Sequence, residues 1–337
     1  MHTFYTAHQY NAWMTIDELE SFVCIATGAG FTEASRALHR SQPAISRRMR
    51  QLEQSLDAKL FERFGRGVRL TDAGRALLPH AEAALAALRD GERAVRELGA
   101  RAAGPLALRL ALVGTLADSH IVDALRSFQA RFPGASVELR TANSREVSDL
   151  VRRGEAHLGL RYFADTDPKL ESIALGSEEV LVVVPAAHRV RAKKVSDLRA
   201  FDGDAWLGFP ADRRHPEASL ESRLLAAGIP NPRITPVDSL TAQKRLVEAG
   251  LGVALLPRSS FREELRRGSL RTIAVTSLNA EQPVVAVRRR GGHHGPLATA
   301  LLEILVRHSP ELLRQRKVAR RTAKLRGTAR TRRAKSS

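Results

Sequence analysis

The sequence is poor in the residues that covalent and redox chemistry use. A single cysteine, Cys24, excludes an intramolecular disulfide and any multi-cysteine metal cluster. It lies inside a helical pattern and reads as a packing residue. No run of about eighteen apolar residues occurs, so no membrane span is expected. The opening MHTFYTAHQYNAWM has no apolar secretory segment, which favours a bacterial-type cytoplasm. No phosphate loop with Gly-Lys-Ser/Thr and no nucleophile elbow is present. Gly250-x-Gly252 is half of a dinucleotide fingerprint, lacks the third glycine and precedes a strand. His293-His294 lacks the i,i+4 spacing of a helical metal site and reads as a solvated turn. No enzyme, no cofactor and no metal site is therefore expected.

Positive charge is abundant. The 337 residues carry 54 Lys/Arg against 36 Asp/Glu, a formal net charge of +18. Eleven of the basic residues fall in 314–337, which has no acid and no aromatic residue. The segment 311–337 is expected to be disordered, either as a solvated extension or as an arm that holds DNA nonspecifically. The better argument is the sorted charge between Arg36 and Arg75, where ten Lys/Arg face four Asp/Glu. That is the electrostatic footprint of a polyanion site.

Within this footprint, 31–71 reads as two short helices, a tight turn and a basic hairpin. Ser41 can cap a helix starting at Gln42, and Pro43 sits in the first turn, where its missing donor costs nothing. Ile45, Met49, Leu52 and Leu56 form one apolar stripe. Pro43, Arg47, Arg50 and Gln54 fall opposite, with Gln42 and Ser46 on the flank. Arg and Gln read guanine and adenine edges bidentately, and the major groove admits one helix. Thr32 is a candidate N-cap of the preceding helix, whose Ala34 and Ala37 allow close helix packing. Gly65 and Gly67 permit a tight turn, and Arg63, Arg66 and Arg69 line a wing that reaches phosphates or the minor groove. Taken singly, Arg47 or Arg50 reads as solvated; the whole pattern reverses that.

The motifs Ser41-Gln42-Pro43-Ala44-Ile45-Ser46, Leu52-Glu53, Leu60-Phe61-Glu62-Arg63 and Leu70-Thr71-Asp72-Ala73-Gly74 come at one spacing. That run resembles the winged helix-turn-helix of LysR-type transcriptional regulators. The resemblance extends over roughly 14–308, strongest in the first sixty of these residues. It implies an N-terminal all-α winged helix-turn-helix with a long linker helix, then a C-terminal α/β two-lobed, periplasmic-binding-protein-like effector domain.

Residues 1–13 read as a flexible arm, and the family pattern leaves both Met1 and Met14 as candidate starts. The DNA-binding domain is expected over 14–72. Thr15-Ile16-Asp17-Glu18 reads as a capping box, followed by Leu19, Phe22, Val23 and Ala26 as a buried face. Thr71 or Asp72 can cap a long helix to about Leu98, roughly 40 Å at about 1.5 Å per residue. Pro79 lies within it. Leu78, Ala81, Leu85, Leu88 and Val95 follow a heptad-like alternation. The family implies a homodimer paired through these helices, or a homotetramer; the plain alternative is a helix packed on its own domain. Linker and hinge span 73–104.

Beyond Pro105 the pattern turns to alternating strand and helix, implying α/β architecture with mostly parallel strands over 105–310. Strands are expected at 106–113, 136–140, 157–160, 180–185, 205–209, 234–238 and 252–256, with helices at 121–131, 144–153, 217–227 and 239–249. The resemblance assigns lobe 1 to about 105–163 and 283–308, and lobe 2 to about 164–282. Ligands in open α/β sheets sit outside the carboxyl ends of strands. That rule brings Thr115, Leu116, Asn143, Ser144, Phe209, Pro210 and Ser239 to an interlobe cleft, with Arg161 to neutralise an anion. Thr115, Ser144 and Ser239 suit helix caps equally well, Arg161 a solvated hinge, and Phe209 the core.

The expected function is sequence-specific DNA binding modulated by a small-molecule effector, an anion being one candidate. RNA polymerase is the further partner expected. Two other classes stand as alternatives: a solute-binding or enzymatic α/β protein, and a nonspecific nucleoid-type binder.

Overall fold

Thr15 opens the first helix as its spacing predicts. Its hydroxyl accepts the Glu18 N–H at 3.2 Å, and the Glu18 carboxylate accepts the Thr15 N–H at 2.8 Å. This is seen in a computed structural model, which describes residues 14–28, 30–65, 67–103, 107–118, 121–210, 219–278 and 281–309. The arm 1–13, Arg66, Gly104, Pro105 and the tail 311–337 lie outside the described residues. The chain falls into two compact units, one comprising residues up to Leu98 together with Arg152–Glu155, the other the remainder.

The first unit holds α1 (Ile16–Thr27), α2 (Phe31–Ala37), α3 (Gln42–Ser55), β1 (Phe61–Phe64), β2 (Gly67–Leu70) and α4 (Asp72–Ala103). Phe22, Ala34, Ile45, Met49, Leu52, Leu60, Ala81 and Leu85 form its core. The Phe61 ring packs 5.5 Å from Phe22 and 6.0 Å from Phe31. On α1 the buried set includes Ile25, whereas Ala26 is only half-buried. Cys24 is half-buried against this core, and burial pushes its thiol pKa up, as suits a packing residue.

Thr32 does not cap α2. The helix begins two residues earlier, with Gly30 at the cap position and φ at 100°, a conformation glycine adopts without steric cost. Thr32 lies inside the first turn. Thr71 does cap α4: its hydroxyl accepts the Gly74 N–H at 3.1 Å and donates to the Lys59 carbonyl at 2.6 Å. The apolar stripe of α4 divides. Ala81 and Leu85 join the core, while Leu88 and Val95 are 40% and 70% exposed.

The second unit runs β3 (Ala107–Val113), α5 (Ile121–Arg131), β4 (Ser136–Ala142), α6 (Ser144–Arg152), β5 (Leu158–Tyr162), β6 (Leu170–Pro185), β7 (Lys194–Val195), β8 (Ala205–Gly208), α7 (Leu220–Ala226), β9 (Arg233–Pro236), α8 (Leu240–Glu248), β10 (Val253–Pro257), α9 (Arg262–Arg267), β11 (Leu270–Val275), β12 (Glu281–Arg289) and α10 (Gly295–His308). Two lobes share one long strand. β6 pairs with β12 along its first part and with β10 and β11 along its last. Lobe 1 has the order β4-β3-β5-β12-β6, and lobe 2 continues β6-β10-β8-β9. Each lobe buries apolar clusters on its sheet, around Phe128 and Val147 in lobe 1 and around Trp206 and Phe261 in lobe 2.

The expectation of mostly parallel strands is only partly met. β3, β4 and β5 run parallel, as do β8, β9 and β10. All pairings of β12 and the pairings of β6 with β10 and β11 are antiparallel. A chain that crosses between lobes and returns does so on strands of opposite sense. The sequence announced only the 180–185 part of β6, because Leu170–Glu179 carries polar residues where an apolar run was sought.

Candidate nucleic-acid interface and interlobe site

Helix α3 is two-sided. Ser41 Oγ accepts the Ala44 N–H at 3.4 Å and starts it. Ile45, Met49 and Leu52 are 0%, 2% and 0% exposed, so the apolar stripe faces inward. Gln42, Pro43, Arg47, Arg50 and Gln54 are exposed, and Ser46 is half-buried on the flank. Leu56 falls past the helix end and is 37% exposed, so the stripe stops at Leu52. Arg48, which the sequence could not separate from its neighbours, turns to Asp17 on α1 at 2.5 Å. Arg50 folds back, its Nε donating to the Ser46 carbonyl at 3.4 Å.

The basic hairpin is anchored from α3. Glu53 accepts the Leu60 N–H at 2.9 Å and the Lys59 ammonium at 2.7 Å. β1 and β2 pair antiparallel from Phe61↔Leu70 to Phe64↔Gly67, leaving a two-residue turn with Gly65 at φ 58°. Arg63 is exposed. Arg69 is exposed but shared: its Nε donates to Glu62 at 2.8 Å and its guanidinium lies 4.9 Å over the Phe64 ring. Thr32 is exposed on α2. Arg66 falls outside the described residues. Together α3 and the hairpin present exposed guanidiniums and amides, which suit a polyanion.

In the second unit, a 3-10 turn at Gly114–Asp118 follows β3 and buries Thr115 and Leu116. Thr115 Oγ1 lies 2.9 Å from the Tyr162 hydroxyl, which donates to Glu178 Oε2 at 2.8 Å. With the tyrosine proton committed to Glu178, the threonine hydroxyl donates to the tyrosine oxygen. Ser259, in the turn after β10, donates to Glu178 Oε1 at 2.9 Å. Arg258 beside it meets Glu179 at 2.6 Å. One carboxylate on the shared strand thus ties a lobe 1 strand end to a lobe 2 turn. Burial, then the Glu178 charge, holds the Tyr162 hydroxyl pKa well above its ordinary value. A cavity of about 50 Å³ lies alongside, lined by Leu116, Leu175, Glu178, Val284 and Leu305 among others.

The remaining expected ligand residues are dispersed. Asn143, not Ser144, caps α6: its Oδ1 accepts the Glu146 N–H at 3.0 Å, and Glu146 accepts the Asn143 N–H at 3.1 Å. That helix start therefore already faces a carboxylate. Ser239 caps α8 through Ala242 at 3.3 Å. Phe209 is 40% exposed after β8, with Pro210 exposed beside it. None of these lines the cavity. Arg161 is 0% exposed, ion-paired with Asp165 and donating to Ser148 at 2.7 Å. A buried guanidinium needs such a partner, and Asp165 balances its charge, so Arg161 is not the solvated hinge residue that was the alternative.

Sequence reasoning missed Tyr162, Glu178 and Ser259. A polar tip ending the apolar strand β5 and an acidic pair inside a strand were the available signals. Neither is readable until β6 is known to cross between the lobes.

Two family profiles match this chain. The profile described as "Bacterial regulatory helix-turn-helix protein, lysR family" matches residues 16–75, and "LysR substrate binding domain" matches 105–310. The transcriptional regulator CbbR of Rhodospirillum rubrum is 29% identical over 292 residues, covering 86% of this chain and 94% of that protein. TfdS of Cupriavidus pinatubonensis is 30% identical over 273 residues, covering 80% and 91%. Among solved structures, CbnR, a LysR family transcriptional regulator, superposes with a TM-score of 0.58 at 23% identity, covering 88% of this chain and 99% of that one. A Corynebacterium glutamicum OxyR mutant gives 0.52 at 27%, covering 88% and 93%.

Proposed function

Because the chain belongs to the LysR family of transcriptional regulators, we propose that α3 reads operator bases through Gln42, Pro43, Ser46, Arg47 and Arg50. Thr32, Arg63, Arg66 and Arg69 then hold the DNA backbone. The observation that carries this is the exposed Arg47 and Arg50 opposite the buried Ile45, Met49 and Leu52, with Gln42 exposed on the flank. The DNA-binding domain is 14–72, and 73–104 is a linker through which two copies pair; the exposed Leu88 and Val95 support that pairing. A dimer or tetramer places α3 helices on half-sites about one helical turn apart. The regulator works in the cytoplasm and contacts RNA polymerase there. The regulator names of its relatives support a protein without catalytic turnover.

The effector binds across 105–310, where Thr115, Tyr162, Glu178 and Ser259 link the lobes. It shifts the balance of states only by its differential affinity for them. Glu178 favours a molecule carrying a hydroxyl or amino donor. An anion receives no net charge from Arg161, which Asp165 balances. Melting curves of the full chain with amino acids, hydroxy acids and plain carboxylates test this. Stabilisation by plain carboxylates alone would reverse the preference.

Arg47→Ala tests the DNA assignment. It is expected to cost about 1–3 kcal/mol of operator discrimination while sedimentation and melting stay unchanged. Unaltered footprints and reporter output in that variant would sink the reading. Equal wild-type affinity for random and operator DNA would point to a nonspecific binder instead.

A further inference from the structure

An aromatic ring stands at the tip of the basic hairpin. Phe64 closes β1 and is 64% exposed, the most exposed large aromatic among the described residues. Its cross-strand partner is Gly67, which has no side chain to cover it. A Cβ built on Gly65 would meet nothing within 4 Å, so the space around that glycine is open. One face of the ring is occupied by the Arg69 guanidinium at 4.9 Å, itself tied to Glu62 across the strands at 2.8 Å. Strand residues alternate faces, so Glu62, Phe64, Gly67 and Arg69 share one side of the hairpin. Arg63 stands exposed on the other.

Exposing a phenyl ring to water forgoes the free energy that its burial would yield. Among the described residues of the first unit the ring takes no place in the core, because the neighbouring Phe61 already packs there from this strand. The ring is nonetheless oriented, by a stacked cation and by a cross-strand ion pair. An apolar side chain presented between cations on a narrow ribbon matches one surface in particular. The minor groove of B-DNA is about 6 Å wide and is flanked by phosphates, and apolar wedges such as Phe enter it in groove-binding proteins.

We propose that Phe64 is the apolar contact of the wing with the DNA minor groove, with Arg69 stacked behind it as the phosphate-facing charge. The inference rests on the DNA-binding reading above but on different atoms from those of α3. Its contribution is apolar, so it adds affinity without releasing counterions, whereas Arg63 acts through charge. The two residues therefore separate in a salt titration.

The test uses the full chain and its operator. Phe64→Ala is expected to weaken binding about tenfold with the slope of log affinity against log salt unchanged. Arg63→Ala is expected to flatten that slope by about one. Phe64→Leu, which keeps apolar bulk, is expected to retain most of the affinity and guards against a folding artefact. Hydroxyl-radical footprinting, which reads deoxyribose in the minor groove, should lose the protection flanking the α3 contact in Phe64→Ala. Wild-type affinity in Phe64→Ala, an altered salt slope or retained protection would each overturn the proposal. A change in oligomeric state at constant intrinsic DNA affinity would assign the ring to a second copy of the chain instead. Arg47→Ala fails or succeeds independently, since it reads discrimination between sequences and not the flanking protection.

Discussion

Replacing Gly74 by alanine separates two effects of opposite sign. Gly74 lies in the first turn of α4, where alanine would improve helix propensity by about 1 kcal/mol. A Cβ at that position, however, falls inside van der Waals contact of the Leu60 carbonyl oxygen and 2.7 Å from Leu70 Cδ2. The carbonyl cannot retreat freely, because it accepts the Thr71 N–H at 3.0 Å. Overpacking of this kind costs about 1–3 kcal/mol, and loosening the Thr71 bond adds about 1 kcal/mol. The net expectation is a loss of about 1–3 kcal/mol. Gly91 in the same helix is the control: it is exposed and a Cβ there meets nothing within 4 Å. Gly91→Ala should therefore gain about 0.5–1 kcal/mol. For a domain of this size each kcal/mol moves Tm by about 4–8 °C. Thermal melts of the full chain by circular dichroism, paired with operator binding, should show Gly74→Ala shifted down and Gly91→Ala shifted up. If both move the same way, helix propensity governs and the packing argument is wrong.

Two further outcomes are expected. Tyr162 has a folded-state pKa raised by burial, so its stabilising contribution is complete below the ordinary tyrosine value near 10 and is lost as pH rises through the folded value. In an alkaline absorbance titration one of the three tyrosines should ionise only with unfolding, and Tyr162→Phe should remove that late step; a late step that persists would place it on another tyrosine. Deleting 314–337 removes eleven basic residues and should weaken binding alike for operator and random DNA while flattening the salt dependence; an unchanged slope would leave the tail without a role on DNA.

The DNA-binding unit was largely legible because its signals are local. The Thr15 and Ser41 caps, the spacing of Ile45, Met49 and Leu52, and the glycine turn of the hairpin each act within a few residues. Helical periodicity alone decides that Pro43, Arg47, Arg50 and Gln54 stand opposite the apolar stripe, and the structure keeps them exposed there. Local propensity did not decide the α2 cap, where Gly30 took the position assigned to Thr32. Nor did it foresee that Arg48 turns to Asp17, a residue thirty-one positions away.

The effector unit divides differently. Its alternation of strands and helices could be read directly, yet the discontinuous first lobe came from family resemblance and not from periodicity. Tertiary structure alone decided that β6 is one strand serving both lobes, that Asp165 balances Arg161, and that Glu178 gathers Tyr162 and Ser259. Sequence sets which groups can donate, accept or carry charge. Which of them meet depends on chain closure: Ser259 reaches Glu178 across 81 positions and Thr115 reaches Tyr162 across 47. No local pattern encodes those pairings, because the free energy that selects them comes from burying both lobes' cores at once.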